Sequence, residues 1–370
     1  MTINNRILID AREYPSSTGR YVRQLLQYLP VVDTDQTRRY TVLVKSADIA
    51  AAQDQLKHDG RFTIVASDHK EFTLAEQTGL LKQLYKLKPD LVHFTMTQQP
   101  ALYRKKHVTT IHDLITLHFT NPDKNIITYK LKQQVYKWLV HHVARTSKQI
   151  ITPTEFVKND VQKFASIPAD KITTTLEAAD KINDPAQPLA TLKNKQFIMY
   201  IGRPTPHKNL DRLVEAYKTL KAQHPNLYLV LAGKIDNNYQ AIQKRTKSEH
   251  NIIFTDKISD AQLRWLYENC AAYVFPSLSE GFGLPGLEAM VHGAPVVSSN
   301  ASCLPEVYGN AAHYFDPTDT QAMADAINEV LTNKDLRQSL VTAGHAQAAK
   351  FSWERMAKQT LQVYEQALKQ

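Results

Sequence analysis

The densest group of chemistry-bearing residues is Glu280-Gly-Phe-Gly-Leu-Pro-Gly-Leu-Glu288, an E-x7-E pair spread across a glycine-rich turn. The apolar run Ala272-Tyr-Val-Phe275 precedes it, so the spacing puts Glu280 at the carboxyl end of a strand and Glu288 about one turn into the following helix. Between the two acids, Gly281, Phe282, Gly283 and Leu284 can turn backbone N–H groups towards a phosphate or a sugar oxygen at a helix N-terminus. Carboxylates accept from vicinal hydroxyls. Acids of this kind beside amides facing phosphate fit a nucleotide sugar. The same run contains a literal G-x-G-x-x-G in Gly281, Gly283 and Gly286, with Glu306 twenty residues further on, which is the dinucleotide fingerprint by pattern. It comes late in the chain, Pro285 stiffens the turn and glutamates bracket it, so a dinucleotide is the weaker reading.

A second constellation is Tyr200-Ile-Gly202-Arg203-Pro-Thr-Pro-His207-Lys208, a strand, a loop and then an amphipathic helix. Arg203 and Lys208 bring two cations to the carboxyl end of a strand, where α/β folds bind ligands, and could neutralise a diphosphate leaving group. The loop is not a phosphate-binding P-loop, because His207 stands where its second glycine belongs. In the first half, His112 follows the run Val108-Thr-Thr-Ile111, and Ser17-Thr-Gly19-Arg-Tyr21 opens a helix after the first strand. Basic and aromatic residues mix in Tyr129-Lys130-Leu-Lys132 and Tyr136-Lys137-Trp138. That mixture suits an interfacial helix on anionic lipid. It also suits an ordinary helix with Leu131, Val135, Trp138 and Leu139 turned to the core, which is the default expectation.

Positioning these residues requires short buried strands alternating with helices. Ile7–Ile9, Tyr40–Val44, Phe62–Val65, Leu91–Phe94, Val108–Ile111 and Gln149–Thr152 form a first series, and Phe197–Ile201, Leu227–Leu231, Asn251–Phe254, Ala272–Phe275 and Pro295–Val297 a second. Residues 180–196, with Pro185 and Pro188, have no period and interrupt the two series. The chain of 370 residues therefore divides into two α/β domains, 1–183 and 197–351, with a linker at 184–196 and a closing helix at 352–370. With 43% hydrophobic and 22% charged residues it can build cores. No apolar run is long enough to span a membrane and no signal-peptide core opens the chain, so a cytoplasmic place is expected. Cys270 and Cys303 lack metal or disulfide spacing and are expected to be buried. Residues 1–190 carry 26 basic against 19 acidic residues, so +7 of the net +9 lies there. Without a nucleic-acid-binding motif, that charge points to a phosphorylated ligand or an anionic membrane surface, with Arg104-Lys105-Lys106 adding to it.

In order and spacing these segments resemble the retaining glycosyltransferases of family 4, which have the GT-B fold of two facing Rossmann-like domains. The segments are Gly19-Arg-Tyr21, His112-Asp-Leu114, Gly202-Arg203 with Lys208-Asn209, Leu231-Ala-Gly233-Lys234, Phe275-Pro-Ser277, Glu280 to Glu288, Gly293-Ala-Pro-Val-Val297, Leu304-Pro-Glu-Val307 and Phe351-Ser-Trp353. The resemblance implies a nucleoside diphosphate sugar as donor substrate and no cofactor. Arg203 and Lys208 would hold the diphosphate, Glu288 the ribose, and Glu280 with the amides of Phe282 to Leu284 the sugar. His112 would reach the transferred sugar, and Gly19 and Gly202 would let backbone approach the donor. Ile258 belongs to the segment close to the base. No metal is implied, and Asp33-Thr-Asp35 reads as solvated loop rather than a D-x-D metal motif. Relatives that share His-Asp-Leu and Ser-Cys-Leu-Pro-Glu-Val include mannosyltransferases that use GDP-mannose in surface polysaccharide assembly, which implies a glycan or lipid-linked acceptor. A nucleotide-sugar epimerase, a sugar phosphorylase and an NAD-dependent dehydrogenase remain the alternatives. Two positions depart from the family pattern: Ser17-Thr18-Gly19 replaces the usual Gly-Ile-Gly, and Asp256 stands where a glycine is usual.

Overall fold

The computed structural model describes residues 5–16, 18–119 and 126–370, the side chains of 126–132 excepted. Two parallel sheets form from the two apolar series. The first contains β1 (Arg6–Asp10), β2 (Arg39–Val44), β3 (Phe62–Ala66), β4 (Leu91–Phe94), β5 (His107–Thr110), β6 (Gln149–Thr152) and β7 (Ile172–Thr174), in the order β3-β2-β1-β4-β5-β6-β7. The second contains β8 (Phe197–Ile201), β9 (Tyr228–Ala232), β10 (Ile252–Phe254), β11 (Ala272–Phe275), β12 (Val296–Ser299) and β13 (Ala312–Phe315), in the order β10-β9-β8-β11-β12-β13. Central strands such as β4, β6, β11 and β12 are buried at every position, as helices on both faces of a parallel sheet require. Each sheet reverses its winding direction once, between β1 and β4 and between β8 and β11. Loops leaving the carboxyl ends of those strand pairs diverge and leave a crevice, the place where such sheets bind ligands.

The chain divides into two compact units. Among the described residues the first holds 5–117, 126–177 and 352–370, and the second holds 118–119 and 178–351. The stretch read from sequence as a linker lies with the second unit because its backbone is tied there. Gln187 N–H donates to the Ala261 carbonyl at 3.0 Å, and Arg264 reaches the carbonyls of Ile182, Asn183 and Asp184.

Helix Trp353–Lys369 starts at Ser352, whose hydroxyl caps the Arg355 N–H, and buries Trp353, Met356, Ala357, Leu361, Val363 and Tyr364. It lies along helix Gly19–Val32. Its Tyr364 hydroxyl meets Nδ1 of the fully buried His93 at 2.6 Å, and His93 Nε2 meets the Thr110 hydroxyl at 2.8 Å. Burial pushes His93 down to about 3, so the ring is neutral and each nitrogen relies on one hydroxyl.

Three sequence expectations come out differently. Asp33 is not solvated: it is buried and accepts from Arg38 at 2.6 Å and from the Tyr40 hydroxyl at 2.7 Å, with Arg61 at 3.3 Å, so it organises a loop instead of facing water. In helix Ile126–Thr146 only Leu139 of the described apolar candidates is buried, whereas Val135 and Trp138 are 56% and 57% exposed. Leu131 lies outside the described side chains, as do Tyr129, Lys130 and Lys132. The edge strands β7 and β13 were not anticipated. Both cysteines are buried and free.

Replacing Tyr364 by Phe leaves one nitrogen of the buried His93 without its partner, and is expected to cost about 1–3 kcal/mol in urea or thermal unfolding.

Candidate active site

The β8–Lys208 loop and the β11–Leu284 loop leave adjacent strands at the reversal point of the second sheet, and they place Lys208 on Glu280. The ammonium donates to both carboxylate oxygens, at 2.6 and 2.8 Å, with the Phe275 ring 5.7 Å away. The two side chains are 19% and 10% exposed. The Leu278 N–H donates to the His207 carbonyl at 2.7 Å, which joins the loops through backbone as well. Asn209, in the left-handed region at φ 61°, gives its amide to the carbonyls of Pro276 and Pro317. Burial, with Lys208 alongside, pushes His207 down to about 4 against the pull of Glu280, so the imidazole next to the pair is neutral. Arg203 leaves the same loop exposed to solvent, with no ion pair among the described residues.

The turn after Glu280 is held from below. The Glu280 N–H donates to the Ser302 hydroxyl at 3.0 Å, the Cys303 thiol to the Glu280 carbonyl at 3.2 Å, and the Tyr308 hydroxyl to the Gly283 carbonyl at 2.5 Å. Gly283 sits at φ 95°, and a Cβ on Gly286 would fall inside the Tyr308 phenol, so these glycines serve a tight approach of backbone to a buried ring. Burial raises the Tyr308 hydroxyl, with Glu280 adding to the effect, and the ring stays neutral. The helix Leu284–Val291 then carries Glu288, whose Oε2 accepts from the Tyr267 hydroxyl at 3.2 Å. The carbonyl of Gly202, at φ 148°, accepts from the Tyr239 hydroxyl at 3.0 Å.

Asp256 is accommodated where the family pattern has glycine. It takes φ 57°, a region that Asp and Asn tolerate best among residues with side chains, and its Oδ1 accepts the Ile235 N–H at 2.9 Å. Ile258 follows two residues later and is partly buried. The second unit therefore brings together Gly202, Arg203, Lys208, Glu280 to Leu284 and Glu288. Tyr267, Tyr308 and Ser302, which support them, carry no sequence signal beyond being polar.

In the first unit His112 lies two residues beyond β5. Its Nε2 is 3.0 Å from the Thr95 carbonyl oxygen and its Nδ1 3.3 Å from Glu177, a buried carboxylate that sequence reasoning missed. Burial opposes the charge on His112, yet the Glu177 carboxylate, the Thr95 carbonyl and Asp113 together raise it above its ordinary value. Gly19 is buried where a Cβ would collide with the carbonyls of Glu13 and Tyr14, so the neighbouring loop itself demands glycine there. Ser17 lies outside the described residues. Among the described residues no three His, Cys, Asp or Glu side chains converge as a metal site would require.

Comparison with known proteins decides the family. A family model described as Glycosyltransferase Family 4 matches residues 18–175, and one described as Glycosyl transferases group 1 matches residues 182–347. The O-antigen chain mannosyltransferase B of Escherichia coli is 35% identical over 276 residues, 70% of each chain. This chain belongs to the family 4 glycosyltransferases. The serotype-specific mannosyltransferase WbdA of Escherichia coli is 31% identical over 68% of this chain and 32% of its own greater length. Among solved structures, sucrose-phosphate synthase from Thermosynechococcus elongatus superposes with a TM-score of 0.76 at 18% identity, covering 98% of both chains. Anabaena HepE in complex with UDP-glucose gives 0.72 at 16% identity, covering 97% of this chain and 99% of its own. These likenesses give the two-domain GT-B fold.

Gly286→Ala is expected to lower stability by about 1–3 kcal/mol by forcing Tyr308 out of its seat. Gly60→Ala, where an added Cβ meets nothing within 4 Å, serves as the control and should leave the unfolding midpoint nearly unchanged.

Proposed function

We propose that this glycosyltransferase moves a mannosyl group from GDP-mannose to a glycan or lipid-linked acceptor in surface polysaccharide assembly, with retention of anomeric configuration and without a metal. The observation that carries the donor site is the Lys208–Glu280 pair at the strand reversal, with Arg203 beside it and the Gly281–Leu284 amides opening a helix. In this reading Arg203 and Lys208 take the charge of the diphosphate as the glycosidic bond breaks, the role that fixed cations play best in a water-poor site. Glu280 and the amides orient the sugar, Glu288 accepts from the ribose hydroxyls, and His112 faces the transferred sugar. Retention follows if the acceptor enters from the face by which the diphosphate leaves, a route that needs no protein nucleophile. Mannose is favoured by the names of the mannosyltransferase relatives.

A thermal-shift series with nucleoside diphosphates and their sugars tests this directly, because a ligand at about a hundred times its Kd adds roughly 2.7 kcal/mol to the stability of the form that binds it. GDP and GDP-mannose are expected to raise the midpoint. Lys208→Ala should abolish that rise, and Glu280→Gln should slow transfer by about a hundredfold or more. Stabilisation by uridine or adenosine compounds alone would overturn the donor assignment, and wild-type rates in both variants would overturn the residue roles.

A second reading, attachment to an anionic membrane surface, is favoured by the apolar side chains that the first unit leaves exposed. Trp138 stacks on His142, whose Nε2 meets the Ala101 carbonyl at 2.9 Å next to the 62%-exposed Leu102. Phe72, 60% exposed, contacts Tyr136 of the same helix, and Leu74 beside it is 82% exposed. Lys137 and the Arg104-Lys105-Lys106 run supply positive charge nearby in sequence. Co-sedimentation with phosphatidylglycerol vesicles is expected to weaken with salt, to fall several-fold in Trp138→Ala through lost apolar insertion, and to lose about 1 kcal/mol when the basic Lys137 is replaced by Ala. Equal binding to neutral vesicles at high salt would contradict it.

A further inference from the structure

His112 is set in the first unit so that both ring nitrogens face acceptors. Nε2 lies 3.0 Å from the Thr95 carbonyl oxygen, which can only accept, and Nδ1 lies 3.3 Å from Oε1 of Glu177. A neutral imidazole has one N–H and one lone pair, so it would aim the lone pair at one of these oxygens. An imidazolium gives the hydrogen bond to Thr95 and the ion pair with Glu177 together. We propose that Glu177 is a positioning residue which, with the Thr95 carbonyl, holds His112 as an imidazolium whose two N–H groups are committed inward. His112 then meets its ligand as a fixed positive charge presented through the carbon edge of the ring, and acts as neither a base nor an N–H donor to the sugar. This rests on the assignment of His112 to the sugar-transfer site and refines what the residue does there.

The surroundings favour the charged form. Glu177 enters from the segment after β7 and is itself buried, and Asp113 is the next residue in the chain. His93, on β4, is kept neutral by its own burial and so adds no opposing charge. Tyr21, from helix Gly19–Val32, stands at 81° to the ring with centroids 4.9 Å apart, and its burial-raised hydroxyl, bonded to Thr110 at 3.1 Å, stays neutral. These contacts fix the plane of the ring. The His112 side chain keeps 14% of its surface exposed, enough for one edge to touch a ligand.

The charge can be read without activity. In protein labelled with 15N-histidine, long-range proton–nitrogen spectra at about pH 7 should show both ring nitrogens of His112 protonated, the signals being identified by their loss in His112→Gln. Glu177→Gln should return a singly protonated ring, and Glu177→Asp should restore the charge. In transfer assays the wild-type rate should fall as pH rises through the raised His112 value. Glu177→Gln should move that fall to lower pH by about one pH unit, making it roughly tenfold slower than wild type near pH 8 but within about twofold near pH 6. A singly protonated His112 in the wild-type spectrum overturns the proposal even if the variant does not fold. So does a Glu177→Gln enzyme equally impaired at both pH values, which would mark a purely structural role. If no nucleotide sugar is turned over at all, the sugar-transfer assignment fails, while the spectra still decide the charge on His112.

Discussion

The contact on which the site of the second unit depends is the two-pronged ion pair between Lys208 and Glu280, residues 72 positions apart in the chain. Nothing local brings them together. They meet because β8 and β11 are neighbours at the point where the sheet reverses its winding, so the loops that follow these two strands must share one crevice. Most of the pair's surface is hidden, and removing one partner of a pair so withdrawn from water costs about 3–5 kcal/mol because the other charge is stranded. The interaction thus ties the geometry of two loops to the geometry of one sheet, and a change that misplaces either strand is felt at the ammonium.

Around that pair, three buried phenols tie the loops to the core. Tyr308 holds the Gly283 carbonyl, Tyr267 the Glu288 carboxylate, and Tyr239 the Gly202 carbonyl. A phenol fills a core like phenylalanine while its hydroxyl satisfies a backbone or carboxylate oxygen that a loop would otherwise leave unpaired. This explains why the glycines of the turn do not read as a dinucleotide fingerprint once folded. Gly286 makes room for Tyr308, and Gly283 supplies a positive φ. The pattern is shared with cofactor-binding turns because both need close backbone approach, here to a ring of the protein itself.

Much of the architecture was legible because a strand covered on both faces reads as a short, mainly apolar or β-branched run rather than an alternating one. Leu91–Phe94, Gln149–Thr152, Phe197–Ile201 and Ala272–Phe275 coincide with β4, β6, β8 and β11. The edge strands β7 and β13 escaped notice, since Ile172–Thr174 and Ala312–Phe315 are short and half covered and therefore mixed in character. At the site, residues at strand ends were legible because the crevice position follows from strand order. Their supporting partners were not. Glu177, Ser302 and Tyr308 act across distances that no spacing rule covers, and the burial of Asp33 depends on Arg38, Arg61 and Tyr40 converging on it from separate places. Helix Ile126–Thr146 misled for the opposite reason: a helical stripe shows which residues share a face, but not whether the chain supplies anything to cover it.

Cations held by internal carboxylates recur in both units: Lys208 on Glu280, His112 beside Glu177, and Arg12 between Asp10 and Glu76 at 2.8 and 3.0 Å. The consequence for an anion differs with the geometry of each donor. Arg12 also spends its guanidinium on the carbonyls of His69 and Gln98, so it is fully consumed in fixing the loop after β1. Lys208 has three N–H bonds and gives two to Glu280, which leaves one direction open for a phosphate oxygen without breaking the pair. Glu280 therefore aims the ammonium as much as it neutralises it. Exposed Arg203 needs no such release, and its long reach suits first contact with a charged donor. In the proposed donor reading, a diphosphate drawn in by Arg203 and seated by Lys208 would meet an ammonium already held in place by Glu280, so little reorganisation would remain there for the moment of bond cleavage.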